Sequence, residues 1–405
     1  MIKLLKQEIK VKYDKKLKLF SDITSGKTPE RVPLCPFIET WAFHYAEISV
    51  KEAFLKNNEL LFQAYKKICD DIEIDAVASI SNTVPFKAGL NFASKNNSNS
   101  DGFIGAGLYT VSDDGVQIRG SHGHLMEGEE LKELAKDAKT YFANVIAPKK
   151  FPILNQSLEK NVELVQDALK DIKDWMAYNG EVINRLETEV GIPVIIKMTN
   201  YNPMDVVLDY LRDFVGISRD IRKRPDELYD ACEAIYDFVS EMFFDSKVPV
   251  DDKWLFSPLH IPTYMRPKDF EKLYFPFMKR YVEEFGVKRG YTLHFFMEND
   301  WTPYLDILQD LPKTSKVIGL FELGDLKYIK EKMKDRMIFH GGLSANELKF
   351  LSIPELRDSV KKTFDDLAPG GQFIFGTDYS LMNLNDGKPE NLIEAMAFAK
   401  DYGKY

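Results

Sequence analysis

The chain has 405 residues, 44% of them hydrophobic, and its 54 Lys and Arg against 63 Asp and Glu give a formal charge of −9. This is a globular composition, and an acidic chain without a long Lys/Arg block is not expected to take nucleic acid or a membrane surface as its partner. Three widely separated cysteines, Cys35, Cys69 and Cys232, form no C-x-x-C pair, which argues against a disulfide framework or a thiolate-rich structural zinc site and suits a reducing compartment.

The first twenty residues, MIKLLKQEIKVKYDKKLKLF, are charged throughout and lack the apolar core of a signal peptide. No apolar run approaches the ~18 residues of a membrane span, so the expected location is cytoplasmic. This segment reads as an N-terminal helical extension. Eight short apolar or β-branched runs then recur, at 33–38, 76–80, 193–198, 253–257, 291–297, 316–321, 337–339 and 372–375. Helical periodicity fills 50–72, 225–244, 266–286 and 352–368. Strands alternating with helices of this length imply right-handed crossovers and a parallel sheet, and eight of them suggest a (β/α)8 barrel, with an open doubly wound sheet as the competing α/β architecture. Ser352 with Glu355 makes a capping box, Pro225 suits a first helical turn, and Pro369-Gly370-Gly371 is a stop. The Gly-, Ser- and Asn-rich stretch 92–123 reads as a β-hairpin insertion. No linker divides the chain, so one barrel domain over 1–405 is expected.

In a parallel barrel the residues at and just after the carboxyl ends of the strands form the active-site face. Those positions hold Glu39, Trp41, His44 and Tyr45, then Asn82, then Asn200 and Tyr201, then His260 and Tyr264. The second half adds His294 and Glu298, Glu322 and Asp325, His340, and Thr377, Asp378 and Tyr379. His294, Glu298, Glu322, His340 and Asp378 therefore form a pool of nitrogen and oxygen ligands suited to zinc, with iron or manganese as alternatives. Taken singly, each histidine is more often a structural group, and the joint pattern carries the expectation. The aromatic residues beside them suit a wall over a ligand or core packing equally. His122-Gly-His124 reads as a turn, Gly105-Ala-Gly107 lacks the rest of a dinucleotide fingerprint, and Cys35 reads as a small buried hydrophobe.

The segments KTPERVPLCP, FHYAEISVKEAFLKNNELLFQAYKKICDDIEIDAV, YMRPKDFEKLYFPFMKRYVEEFG and HGGLSANELKFLSIPELRDSVKKTFDDLAPGGQFIFGTD, in this order, resemble the uroporphyrinogen decarboxylase superfamily, whose members are (β/α)8 barrels. True decarboxylases carry an Arg-Gln-Ala-Gly-Arg stretch after the first strand and an aspartate after the second. Here those regions read ETWAFHYAEIS and SISNTVPF, with neither arginine nor aspartate. The zinc methyltransferases of the superfamily carry His-x-Cys after strand five and Cys after strand eight, where this chain places Glu298 and Asp378, with Phe296 at the histidine position. The chain is most similar to the branch containing the methyltransferase components of anaerobic O-demethylases, in which carboxylates and histidine replace thiolates. That resemblance implies transfer of a methyl group from a methyl ether, often a methoxylated aromatic, to the cob(I)alamin of a partner corrinoid protein. It further implies a zinc site without thiolates, and from the pool of five candidates Glu298, Glu322 and His340 are taken as the ligands, with Asp378 and His294 as alternates or supporting partners. The small methoxylated substrate would lie against Trp41, His44, Tyr45, Tyr201 and Tyr379, its oxygen oriented by Asn82, Asn200 or His260. A homodimer is compatible with this reading. The alternatives are uroporphyrinogen decarboxylation, methyl flow from a methylcorrinoid to a thiol or pterin, and a non-catalytic barrel that binds a corrinoid or a partner.

Overall fold

A computed structural model describes residues 2–55, 58–80, 103–104, 109–112, 115–118, 125–150, 154–244 and 254–405. Three short antiparallel strands, β1 (Phe103–Ile104), β2 (Tyr109–Ser112) and β3 (Gly115–Ile118), fall inside the stretch read as an insertion. Asn82, Gly105-Ala-Gly107 and the His122 pair lie outside the described residues.

Six parallel strands follow: β4 (Met198–Thr199), β5 (Trp254–Leu259), β6 (Thr292–Asp300), β7 (Val317–Leu323), β8 (Ile338–Leu343) and β9 (Phe373–Thr377). Each pairs with the next in sequence order, as right-handed crossover connections dictate. Beyond the two edges the backbone pairing continues through the first sequence runs. Leu34 bridges Phe375 and Ile38 bridges Leu381, the Asp75 N–H donates to the Leu34 carbonyl at 2.8 Å, and Val77 bridges Val194, just before β4. All eight runs read from the sequence therefore take a place in one parallel ring of the α/β class, the earliest through isolated bridges instead of full ladders. The buried Asp75 carboxylate fastens this weaker arc, accepting from the Arg31 guanidinium and, at 2.8 Å, from the Leu34 N–H.

Side chains alternate across each strand. One set meets inside the ring, where Cys35, Phe37, Ala76, Ala78, Ile196, Trp254, Ile318, Leu320, Ile338 and Ile374 form a core of their own. The other set packs outward on a larger core shared with the helices. Those include α1 (Ile2–Thr24), α2 (Asn58–Asp71), α3 (Leu158–Arg185), α4 (Pro225–Phe244), α5 (Ile353–Leu367) and α6 (Pro389–Tyr402). Helix α1 is the expected N-terminal extension, and α5 opens on the expected Ser352–Glu355 capping box. Among the described residues no helix is long and apolar enough to cross a membrane.

Candidate active site at the carboxyl ends of the strands

Height along the strand separates the sequence-expected site residues. His294 is the third residue of β6 and Glu298 the seventh. Both belong to the inward-facing set, yet four residues at about 3.3 Å each put Glu298 about 13 Å nearer the mouth. His340, third in β8, sits as deep as His294, and both are fully buried. The His340 Nε2 lies 2.8 Å from the Cys35 carbonyl, and its Nδ1 lies 3.0 Å from His294 Nε2. A carbonyl only accepts, so His340 Nε2 carries the proton and donates it. Burial pushes the His340 pKa down to about 4, so at neutral pH its Nδ1 accepts from His294 Nε2–H. The remaining nitrogen, His294 Nδ1, is a bare lone pair with no partner. Gly376 makes this arrangement possible, since a side-chain carbon there would lie 2.5 Å from His340 Nε2.

The mouth is organised around His260, just after β5. Its Nδ1 is 2.9 Å from Asp209 Oδ2, and its Nε2 is 3.4 Å from Glu298 Oε1. Burial opposes the imidazolium, but the Asp209 hydrogen bond and the charges of Asp209, Asp205 and Glu298 outweigh it and raise His260 to about 9. Burial pushes Glu298 up to about 7, with Glu322 and Asp209 adding to the rise and His260 opposing it. Proton and charge are thus shared along a line Asp209–His260–Glu298. Two further features hold that line. Buried Asp205 accepts from the His260 N–H at 3.1 Å, the Ile261 N–H at 3.0 Å and the Tyr274 hydroxyl at 2.6 Å, pinning the turn that carries His260. At the end of β6 the register shifts between Met297 and Asp300, Asn299 takes φ 63°, and its N–H donates to Glu322 Oε2 at 2.7 Å. Such a bulge re-aims the neighbouring side chain.

Below this line lies an aromatic floor. Phe256 stacks on Phe37 at 5.4 Å between ring centroids and on Phe296 at 6.4 Å, and Phe256 and Phe296 are only half-buried. Tyr201, half-buried, meets Tyr210 edge-on at 5.8 Å. Tyr379 is half-buried as well, and burial raises its hydroxyl pKa, with the charges of Asp386, Asp378 and Glu322 adding to it. Other expected wall residues have structural partners. Trp41 is fully buried and donates to the Gly387 carbonyl at 2.9 Å, while Tyr45 stacks on it at 5.0 Å and donates to Asp71 of α2 at 2.9 Å. His44 is half-buried beside them. Asn200 is buried and accepts from the Tyr201 N–H at 2.9 Å. Asp378 accepts from the Ala345 N–H at 3.1 Å, at the start of a short helix, and burial raises its pKa to about 6. Asp325 likewise caps a helix, accepting from the Tyr328 N–H.

The trio Glu298, Glu322 and His340 does not fit a zinc ion in this arrangement. Two are at the mouth, and His340 is deep, with both ring nitrogens engaged. Among the described residues no group of three His, Cys, Asp or Glu is gathered as metal ligands. The residues that the sequence reading missed are Asp205, Asp209, Phe256 and Phe37. The signal for the first two was present as carboxylates four apart, on one face of the helical turns after β4. A cavity of about 620 Å³ opens at the other end of the ring, lined by Lys12, Lys15, Lys16, Arg31, Glu73 and Lys400. Two of its charges pair outright, Arg31 with Asp75 and Lys400 with Glu73.

Residues 145–402, well over half of the chain, match the uroporphyrinogen decarboxylase family. The chain belongs to that family. A methyltransferase from Methanosarcina mazei shares its fold, with a TM-score of 0.58 at 14% identity over 97% of this chain and 98% of that one. No curated protein sequence matches. Family membership thus accounts for the fold and supports an enzymatic role for the chain.

Proposed function

We propose that this member of the family is a methyltransferase that moves a methyl group from a methoxylated aromatic to the cob(I)alamin of a separate corrinoid protein. The observation that carries the reading is His260, held between Asp209 and Glu298 above the half-buried rings of Phe256 and Phe296. An ether methyl is a poor electrophile because phenoxide is a poor leaving group. Protonating that oxygen as the C–O bond breaks removes the difficulty, and a histidine kept cationic at neutral pH is a suitable acid. The cob(I)alamin of the corrinoid protein would supply the nucleophile that takes the methyl group, and the C–O bond of the ether breaks. Its electron pair goes to the aryl oxygen, which takes the His260 proton and leaves as a phenol. Glu298 and Asp209 stabilise the imidazolium before transfer, and the floor takes the aromatic ring by stacking, worth roughly 0.5–1.5 kcal/mol beyond the area it buries. Glu298, Glu322, Asp209 and Asp378 make the mouth acidic, which would repel the many carboxylates of a porphyrinogen. The acidic mouth therefore favours a neutral ether over the decarboxylation alternative.

The test follows methylation of a cob(I)alamin-loaded corrinoid protein by its absorbance change, with methoxybenzenes as donors. Transfer by the wild-type protein, with His260→Ala slower by about 10²–10⁴ in kcat, supports the assignment. An equally active His260→Ala would remove His260 from the chemistry. No transfer from any methoxybenzene would sink the donor class.

A further inference from the structure

Helix α3 carries a stripe that the ring does not use. Leu158, Val162, Val165, Leu169 and Met176 are each 42–79% exposed. With Ile172, which continues the sequence pattern, their spacing is 4-3-4-3-4, the heptad seam of a two-helix coiled coil. The helix anchors itself by a different face. Leu164 and Val182 of α3, with Leu186 just beyond its end, are buried against the rest of the chain, about 110° round the axis from the exposed stripe. The stripe runs for 19 residues, about 28 Å of helix.

Flanking charges select the occupant. On the solvent side of the stripe the heptad flank holds Glu159, Gln166 and Lys173, at seven-residue intervals. If two copies of α3 lie antiparallel with Val165 of each against Leu169 of the other, Leu158 meets Met176, Glu159 faces Lys173, and Gln166 faces its own counterpart on the two-fold axis. A parallel in-register pair would instead set Gln166 against Asn161 and Lys173 against Ala168, with no opposite charges joined. We infer that the exposed stripe of α3 is a self-association surface on which a second copy of this chain docks with its own α3 antiparallel. The geometry is isologous: each residue pair occurs twice about the axis, and the interface closes at two chains.

The full-length protein tests this by sedimentation over a micromolar concentration range. The expected result is a concentration-dependent dimer, and a monomer throughout would overturn the inference. Leu169→Glu, at an exposed position, should abolish the dimer and leave the melting temperature unchanged at concentrations where the wild type is monomeric. Glu159→Lys should weaken it by roughly tenfold, and Glu159→Lys with Lys173→Glu should restore it. Gln166→Cys should give a disulfide-linked dimer on oxidation, because Cys35, Cys69 and Cys232 are all buried. A dimer indifferent to Leu169→Glu, an unchanged dimerisation constant in Glu159→Lys, or no cross-link in Gln166→Cys contradicts the antiparallel pairing. So does loss of corrinoid-protein binding in Leu169→Glu of a protein that is otherwise monomeric, which would assign the stripe to a different partner.

Discussion

His260 and His340 show how one residue type takes opposite charge states a few strands apart. His260 is surrounded by Asp205, Asp209 and Glu298 and is held cationic, with its pKa raised to about 9. The wild-type rate should therefore fall as pH rises through about 9, because the acid form is lost. Asp209→Asn removes the largest stabilising partner, so the alkaline limb of kcat should move to lower pH; an unmoved limb would show that His260 is not the titrating acid. His294 and His340 have only each other and a carbonyl, and burial keeps both neutral, His340 with its pKa lowered to about 4 from an ordinary 6.5 and His294 well below that ordinary value. A depressed folded-state pKa means that the unfolded chain binds more protons below about 6.5. Stability is then fully present above that pH and lost as pH falls toward 4. Denaturant midpoints measured across this range should show the loss, with a shallower slope in His294→Phe.

At the scale of elements, the turn after β5 depends on one carboxylate brought from the helical turns after β4. Asp205 satisfies two backbone N–H groups and a tyrosine hydroxyl, all buried or nearly so. Asp205→Ala leaves three donors without a partner and should destabilise the protein by roughly 2–4 kcal/mol, read from the denaturant midpoint. It should also lower kcat by releasing His260. Retained stability would show that water replaces the carboxylate. The strands themselves were legible in the sequence, since all eight apolar runs occupy the ring. Periodicity two told which residues point inward. It did not tell how far up the strand each one sits, and this is why His340 was read as a ligand beside Glu298 and Glu322 when it belongs to the ring's interior. For Trp41 the sequence leaves a ligand wall and a core equally open, and its full burial with its bond to the Gly387 carbonyl sets it in the packing.

For the whole molecule, the acidic charge and the scarcity of cysteine acquire a place. The cysteines are buried, with thiol pKa values pushed up by that burial, and the mouth is built from carboxylates and histidine. The sequence pointed to such a donor set without showing how it is shared. The pieces joined at His260 come from the helical turns after β4, from β5 and from β6, so the constellation exists only once the ring is formed. Its one-residue bulge at Asn299 leaves no mark in the sequence beyond the asparagine itself, a residue tolerated at positive φ. The central claim is that His260 delivers the proton that lets an aryl ether surrender its methyl group. The most direct measurement is single-turnover methyl transfer from methoxybenzene to a cob(I)alamin-loaded corrinoid protein, run with the wild-type chain and with His260→Ala. The account predicts methylcobalamin and phenol in equal amounts from the wild type, and a transfer step slowed about 10²–10⁴-fold in the variant. Equal rates from the two proteins would contradict it.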